Sequence, residues 1–210
     1  MFIAIEGVIG VGKTTLARLL QPSFQAEILL EVFEENPFLS DFYADRERYA
    51  FQTQIFFLLS RYRQQRETVV STLRDGRTLI SDYTFAKDAL FARINLRGDE
   101  LEMYHRVHEA LAEKIPTPDL TVYLYASTDV LMQRIALRDR PYERAMERAY
   151  IAELGAAYDE FFATLTAPHI TIDTTHMDFV RYPEHLKEIE NRIREALGIT
   201  PYQPSLPLAD

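Results

Sequence analysis

Short apolar segments alternate with longer amphipathic ones along this chain of 210 residues. Residues 2–5 read Phe-Ile-Ala-Ile without a polar side chain, and further short segments rich in apolar residues lie at 27–31, 77–81, 120–125 and 169–173. Runs of this length and composition are typical of strands that are buried on both faces of a parallel sheet. The pattern therefore predicts five strands.

Helical patterns fill the intervals between these strands. The clearest covers about 46–74, where one apolar stripe contains Phe51, Ile55, Leu58, Leu59 and Tyr62. We predict further helices at 13–21, ended by Pro22, after Asn36-Pro37, at 83–95, at 99–114, from Ser127 to Arg138, up to Thr164 and at 183–197. Strands that alternate with helices predict an α/β fold, with a five-stranded parallel sheet covered by helices on both faces.

The domain organisation follows from the same pattern. No repeat or linker interrupts residues 1–198, so we predict a single domain there. Residues 199–210 contain Pro201, Pro204 and Pro207 and are expected to form a Pro-rich C-terminal tail.

Composition narrows the function classes. The chain has no cysteine, which excludes disulfides, thiolate metal sites and a cysteine nucleophile. Its formal net charge of −9 argues against non-specific nucleic-acid or membrane binding, although a small basic pocket remains possible. No secretory signal or apolar stretch long enough to span a membrane is apparent, and we expect a soluble, cytoplasmic protein.

A glycine loop follows the first predicted strand. Three of the 7 glycines, Gly7, Gly10 and Gly12, fall within six positions, and with Lys13 and Thr14 they fit the pattern G-x-x-x-x-G-K-[ST]. Successive backbone N–H groups in such a loop hold phosphate oxygens, and the following helix N-terminus adds partial positive charge. We predict that Lys13 reaches the β- and γ-phosphates of ATP or GTP and that the Thr14 hydroxyl binds Mg²⁺.

Two acidic residues follow neighbouring strands. Glu31 ends the second predicted strand and Asp82 follows the third, so both are expected at the sheet edge that holds the glycine loop. Glu31 could accept a proton from a substrate hydroxyl and Asp82 could hold Mg²⁺, although a solvated acid and a helix cap are the alternatives. Neither a Walker B run nor an Asn-Lys-x-Asp motif is present, which favours a phosphotransferase over a GTPase switch or a motor ATPase.

Arginines cluster near residue 138. Arg134 and Arg138 share a helix face and Arg140 follows in a loop, which suggests a mobile arginine lid that closes over phosphates. The alternative is that these cations only complement the dipole at the helix C-terminus.

One edge of the apolar stripe on the long helix is polar. Gln54 and Arg61 lie seven residues apart there, and an amide beside aromatic residues suits recognition of a flat nucleobase. An ordinary boundary glutamine and a surface arginine are the alternative.

Taken together, these motifs resemble those of the deoxyribonucleoside kinase family, especially its bacterial purine branch of deoxyguanosine and deoxyadenosine kinases. The resemblance covers most of residues 2–198. It rests on Ile-Glu-Gly-Val-Ile-Gly-Val-Gly-Lys-Thr-Thr at 5–15, Glu31, Glu-Asn-Pro-Phe-Leu at 35–39, Phe42-Tyr43, Phe51 to Arg61 with Gln54, Asp82, Arg134 to Arg140, and Asp178-Phe179.

The resemblance implies a role for several residues. Glu31 would take the proton from the 5′-hydroxyl, Gln54 would pair with the base, and Tyr43 with Glu143 would hold the 3′-hydroxyl and crowd out a 2′-hydroxyl. Further substrate contacts are implied for Arg61, Asp82 and Asp88. The implied catalytic residues are Glu31, Lys13, Arg134 and Arg138, and the implied ATP site comprises Gly7, Gly10, Val11, Gly12, Lys13, Thr14, Thr15, Arg138, Arg140, Asp178 and Phe179.

The implied activity is ATP- and Mg²⁺-dependent phosphorylation of a purine deoxynucleoside, in a homodimer that a deoxynucleoside triphosphate inhibits. The chain departs from many relatives at Asp82-Tyr83-Thr84, where they carry Asp/Glu-Arg-Ser, and Tyr83 and Gln54 point to different bases, so guanine and adenine both stay open. A thymidylate-kinase-like nucleotide kinase is an alternative, although Glu31 would repel its monophosphate acceptor. A non-catalytic nucleotide-binding regulatory subunit is another.

Overall fold

A five-stranded parallel sheet forms the centre of the computed structural model, which describes residues 1–33 and 35–200. The strands are β1 (Phe2–Glu6), β2 (Glu27–Leu29), β3 (Leu79–Ser81), β4 (Leu120–Tyr125) and β5 (His169–Asp173). They lie in the order β2-β3-β1-β4-β5, and every neighbouring pair is parallel. The prediction of a five-stranded parallel sheet is therefore confirmed.

Helices connect the strands. They are α1 (Lys13–Phe24), α2 (Leu39–Ala44), α3 (Arg46–Arg74), α4 (Lys87–Asn95), α5 (Gly98–Ala112), α6 (Thr128–Arg138), α7 (Arg148–Thr164) and α8 (Pro183–Ala196), with a 3₁₀ turn at Pro141–Glu143. The long helix α3 has the bounds that its apolar stripe predicts.

Alternate residues of β1 show that both faces of the sheet are covered. Ile3 and Ile5 belong to the main apolar cluster, which includes Leu16 of α1. Phe2 and Ala4 belong instead to a second cluster, with Val69 of α3, Leu29, Leu79 and Tyr83. Because neighbouring side chains of a strand point to opposite faces, helices must pack on both sides of β1.

The ends of β2 and α1 differ from the prediction. Strand β2 ends at Leu29, so Glu31 lies beyond the strand. The backbone N–H of Glu31 donates to Asp82 Oδ1 at 2.7 Å and not to a neighbouring strand. Helix α1 continues through Pro22 to Phe24. The last turn is closed by Gln25 N–H to the Pro22 carbonyl at 3.2 Å and Ala26 N–H to the Gln21 carbonyl at 3.1 Å. These bonds stabilise a turn that Pro22 was expected to prevent.

The start of helix α4 is set by Glu6, a buried acid at the end of β1. Glu6 Oε1 accepts from the Thr84 backbone N–H at 2.5 Å and from the Thr84 hydroxyl at 2.8 Å. The Thr84 hydroxyl in turn accepts from the N–H of Lys87, the first residue of α4, at 3.3 Å. Residues 83–86, which the pattern assigns to a helix, therefore form a loop, and α4 begins at Lys87.

Two further sequence-based expectations concern the chain as a whole. The predicted Pro-rich tail lies outside the described residues from 201 onward. Among the residues that the structure describes, no helix is both long and apolar enough to cross a membrane.

Candidate active site

The glycine loop joins β1 to α1 and wraps around its own lysine. Gly7, Gly10 and Gly12 all have positive φ, and a Cβ on Gly7 would lie 2.4 Å from the Leu124 carbonyl oxygen of β4. The Lys13 ammonium donates to the carbonyls of Gly7 at 2.6 Å and Val8 at 3.2 Å. Burial, reinforced by the charge of Lys87, lowers the pKa of Lys13 to about 8. The ammonium is thus held by carbonyls of its own loop.

A cavity of about 110 Å³ opens at the carboxyl ends of β1, β2 and β3. It brings together eleven residues that the sequence predicts for the site, from both the phosphate and the substrate side. They are Gly10, Lys13, Thr14, Glu31, Tyr43, Gln54, Arg61, Asp82, Arg138, Arg140 and Glu143.

Two cations hold the Glu31 carboxylate in this cavity. Arg61 donates to Oε1 through Nε at 2.9 Å and also through Nη2. Lys87 Nζ donates to Oε2 at 2.7 Å. Burial by itself would raise the pKa of Glu31, but the charges and hydrogen bonds of Arg61 and Lys87 hold this pKa well below its usual range. Glu31 is therefore ionised and acceptor-only at neutral pH.

Asp82 links the segment that contains Glu31 to the glycine loop. Its Oδ2 accepts from the Thr14 hydroxyl and its Oδ1 accepts from Glu31 N–H. The hydroxyl of Thr14 and the carboxylate of Asp82 are hard oxygen ligands of the kind that Mg²⁺ prefers, and Mg²⁺ usually completes its shell with phosphate oxygens and water. The two residues therefore fit a magnesium site with a triphosphate. No group of three or more His, Cys, Asp or Glu residues that could hold a metal ion occurs in the part of the chain that the structure describes.

Two buried polar atoms of the cavity lining, on α3, form no hydrogen bond with the described part of the protein. Gln54 Oε1 and Thr53 Oγ1 are buried and have no hydrogen-bond partner among the described residues. Both residues line the cavity together with the rings of Phe57 and Phe91. A buried acceptor without a partner is costly, so this part of the cavity is suited to a flat polar ligand that donates to it.

Tyr43 of α2 and Glu143 of the 3₁₀ turn also line this cavity. The Tyr43 ring is stacked on Tyr142, with ring centroids 6.1 Å apart. Burial, with smaller contributions from Tyr150 and Glu143, raises the pKa of Tyr43 well above its usual range, so the phenol is a hydrogen-bond donor at every ordinary pH. A phenol donor and a carboxylate acceptor together suit a sugar hydroxyl.

Asp88 does not line the cavity, although the sequence predicts a substrate contact there. It is fully buried on α4, and its Oδ1 forms an ion pair with Arg61 Nη1. Asp88 thus lies behind Arg61 and orients the guanidinium toward Glu31. Periodicity could not show this, because the pairing joins α4 to α3.

A second cavity, of about 550 Å³, lies on the other side of the glycine loop. It shares Gly10 and Arg138 with the first and also holds Val11, Gly12, Thr15, Arg134, Asp178 and Phe179. Phe179 lies against Gly12, where an added Cβ would meet the ring at 2.9 Å. Asp178 Oδ1 accepts from the N–H groups of Val180 and Arg181, at 3.1 and 2.9 Å, and closes a turn.

Arg134 differs from the mobile lid residue that the sequence predicts. Its guanidinium donates to the carbonyls of Val11 at 3.2 Å, Thr174 at 2.9 Å and Met177 at 3.0 Å. It lines only the second cavity and is not brought into the one that holds Glu31. Arg134 therefore ties α6 to the glycine loop and to the turn that precedes Asp178.

Arg138 and Arg140 remain at the mouth of the first cavity. Arg138 donates to Glu143 through Nε at 3.1 Å and through Nη2 at 2.6 Å. Arg140 lies 3.7 Å from the same carboxylate and over the Phe33 ring at 4.2 Å from its centroid. Glu143 thus holds both arginines at the cavity mouth.

Sequence reasoning missed two charged residues at the site, Lys87 and Glu6. Lys87 is 5% exposed and contacts Glu31, and Glu6 is buried beneath the glycine loop, with Tyr158 OH donating to its Oε2 at 3.0 Å. Glu6 had a detectable signal, because an acid that ends a continuously apolar strand must find buried partners. Lys87 had no such signal. The sequence pattern predicts one continuous helix over 83–95, whereas residues 83–86 form a loop and Lys87 is the first residue of α4.

The parallel sheet, the glycine loop that opens α1 and the acidic residues beyond β2 and β3 define a P-loop kinase fold. The model of the deoxynucleoside kinase family matches residues 3–198. The chain belongs to the deoxynucleoside kinase family, and it is accordingly a phosphotransferase.

Individual relatives agree with this assignment. A deoxyguanosine kinase from Bacillus subtilis is 34% identical over 201 residues, which cover 93% of this chain and 97% of the relative. A deoxyadenosine kinase from Dictyostelium discoideum is 33% identical over 192 residues, covering 89% of this chain and 76% of the relative. The solved structure of a deoxyadenosine kinase from M. mycoides, with the products dCMP and a flexible dCDP bound, has a TM-score of 0.80 and 25% identity and covers 93% of this chain and 99% of that one.

Proposed function

We propose that the protein transfers the γ-phosphoryl group of ATP to the 5′-hydroxyl of a purine deoxynucleoside, deoxyguanosine or deoxyadenosine, and releases the monophosphate. One observation carries the proposal: an ionised Glu31 and the phosphate-loop Lys13 line the same cavity. The purine assignment is supported by the relatives that act on deoxyguanosine and deoxyadenosine.

Positioning and charge would perform most of the chemistry. Glu31 accepts a hydrogen bond from the 5′-hydroxyl and receives its proton as the O5′–Pγ bond forms. Lys13 turns from its carbonyl partners to the β- and γ-phosphates, and Arg138 turns from Glu143 to the transferring group. Mg²⁺ held by Thr14 and Asp82 would neutralise charge on the β- and γ-phosphate oxygens.

The two cavities divide the two substrates between them. The nucleoside occupies the smaller one, with its base at Gln54 and its 3′-hydroxyl between Tyr43 and Glu143. The adenosine part of ATP occupies the larger one, beside Asp178 and Phe179. The phosphates cross at Gly10 and Arg138, which both cavities share.

We further propose that the protein is a homodimer assembled through α3 and α5. Leu59 on α3 is 50% exposed and Met103 on α5 is 58% exposed, and the two helices contact each other. Large apolar side chains exposed on adjacent helices favour burial against a second copy.

A competition assay tests the proposed reaction. All four deoxynucleosides are mixed at equal concentration with ATP and Mg²⁺, and the monophosphates are separated by chromatography. Deoxyguanosine or deoxyadenosine monophosphate is expected as the main product. Phosphorylation of dTMP or another monophosphate without turnover of any nucleoside would instead identify a nucleotide kinase. Absence of substrate-dependent ADP release would identify a regulatory nucleotide-binding protein.

A further inference from the structure

Lys87 is a buried cation in the cavity that holds Glu31. Its side chain is 5% exposed, lines the cavity beside Phe91 and donates to Glu31 Oε2 at 2.7 Å. Its charge also acts on Lys13, as the lowered pKa of Lys13 shows. Lys87 therefore lies close both to the acid that would face the nucleoside and to the lysine that would face the triphosphate.

The position that follows Asp82 contributes no cation to this cavity. Tyr83 is fully buried in the apolar cluster on the other side of the sheet, and its hydroxyl donates to Gln64 Oε1 at 2.8 Å. Lys87, at the first position of α4, reaches the cavity instead.

The two cations on Glu31 are held in different ways. Arg61 bridges two carboxylates, those of Glu31 and Asp88, and lies over the Phe57 ring at 4.4 Å from its centroid. Glu31 is the only ion-pair partner of Lys87 within residues 1–33 and 35–200, and the Lys87 ammonium lies over the Phe91 ring, 5.6 Å from its centroid. An ammonium on a flexible stem with one carboxylate partner moves more readily than a planar guanidinium fixed between two carboxylates.

We propose that Lys87 is a further catalytic residue, which moves from Glu31 to the transferring phosphoryl group and then binds the 5′-phosphate of the product. This inference rests on the proposed function. The O5′–Pγ bond forms while the bond from Pγ to the β-phosphate oxygen breaks, and that electron pair leaves with ADP. The 5′-hydroxyl proton passes to Glu31, and Lys87 keeps its proton throughout.

The proposed movement of Lys87 matters both before the substrates bind and during phosphoryl transfer. In the empty site Lys87 compensates the buried charge of Glu31, which would otherwise be costly. In the loaded site the developing negative charge on the phosphoryl oxygens attracts the ammonium, and Glu31 loses a competing hydrogen bond as the substrate proton arrives. A nucleoside carries no phosphate, so its own binding does not need Lys87.

The test compares Lys87→Gln, which keeps a donor to Glu31 without the charge, with Lys87→Met, which removes both. Lys187→Met changes an exposed lysine of α8 and is the matched control. Steady-state kinetics give kcat and KM, and calorimetry without ATP gives Kd for the deoxynucleoside and for its 5′-monophosphate. Both Lys87 variants are expected to lower kcat by about 10²-fold and to weaken monophosphate binding about tenfold, while nucleoside Kd stays within about threefold.

Equal weakening of nucleoside and monophosphate binding in the Lys87 variants would overturn the inference, because it would show that Lys87 only holds Glu31 and α4 in place. An unchanged kcat would overturn it as well. In both cases wild-type turnover of a deoxynucleoside leaves the proposed function intact. Absence of that turnover in the wild-type protein would overturn the proposed function and, with it, the inference.

Discussion

Glu31 combines two requirements that conflict in an isolated side chain. A proton acceptor has to be ionised, and a buried carboxylate favours the neutral form. Arg61 and Lys87 resolve the conflict by holding the pKa of Glu31 well below its usual range despite its burial. The carboxylate is therefore a hydrogen-bond acceptor that orients the hydroxyl, and in the proposed reaction it becomes a better base as Lys87 is drawn toward phosphate.

The first residue-scale prediction concerns this carboxylate. Glu31→Gln keeps the shape but removes the acceptor charge, so we expect kcat to fall by about 10²-fold or more while ATP still binds. Kinetics and nucleotide titration measure the two effects, and Glu113→Gln, on an exposed residue, is the control. Wild-type kcat in the Glu31 variant would show that the proton acceptor lies elsewhere.

The second residue-scale prediction concerns pH. Since burial lowers the pKa of Lys13 to about 8, much of the empty protein has a neutral Lys13 at pH 8.5, and a bound triphosphate favours the charged form. ATP binding should therefore take up protons at pH 8.5 and weaken as pH rises above about 8, with little dependence on Lys13 below pH 7. Calorimetry in two buffers of different ionisation enthalpy measures the uptake.

Lys13→Arg provides the control for this measurement, because a guanidinium keeps its charge over the whole range. ATP binding to the Lys13→Arg variant should therefore cause no proton uptake at residue 13. Equal proton uptake by the wild-type and the arginine variant would mean that another group titrates.

At the scale of elements, side chains from distant strands decide where helices and strands end. Glu6 on β1 holds Thr84 and keeps residues 83–86 out of α4. Asp82 takes the Glu31 N–H and separates Glu31 from β2. Periodicity identifies the elements themselves, as it does for α3 and β4. It cannot locate ends of this kind, because the deciding hydrogen bonds join residues far apart in sequence.

The glycine loop leads to an element-scale prediction. Gly7→Ala would place a methyl group 2.4 Å from the Leu124 carbonyl, at a φ of +144° that alanine rarely adopts. Because that neighbour is backbone inside the sheet, the loop and β4 must separate, and we expect a loss of roughly 2 kcal/mol or more in the free energy of unfolding. Chemical denaturation measures it.

Gly155→Ala is the matched control for this prediction. Gly155 lies in α7 with open space around its Cβ position, so alanine should leave stability unchanged or raise it by up to about 1 kcal/mol. Similar unfolding free energies for the two variants would contradict the close approach of Gly7 to β4.

At the scale of the whole molecule, the sheet brings distant segments to one edge. Glu31, Asp82 and Lys13 follow β2, β3 and β1, which are neighbours in the sheet although far apart in sequence. Helix α6 lines the second cavity and carries Arg138 to the boundary between the two cavities. In the proposed reaction the smaller cavity takes the acceptor and the larger one takes the donor.

The whole-molecule prediction is a dimer through α3 and α5. Leu59→Glu combined with Met103→Glu should convert the dimer into a monomer, because four charges would be buried at a two-fold interface. Light scattering after gel filtration measures the mass. Leu137→Glu, at an 86% exposed leucine on α6, should leave the dimer intact. A monomeric wild-type protein at tens of micromolar would refute this assembly.

The sequence by itself determined the α/β class, the five parallel strands, the phosphate loop and most of the residues around the nucleoside cavity. These features depend on local patterns and on the rule that the carboxyl ends of parallel strands share an edge. Only the tertiary structure decided that Asp88 lies behind Arg61, that Arg134 is tied to backbone carbonyls and that Lys87 contacts Glu31. Each of those contacts joins separate elements in a buried setting, where a charge takes whatever partner the packing brings near, and no spacing along the chain encodes that choice.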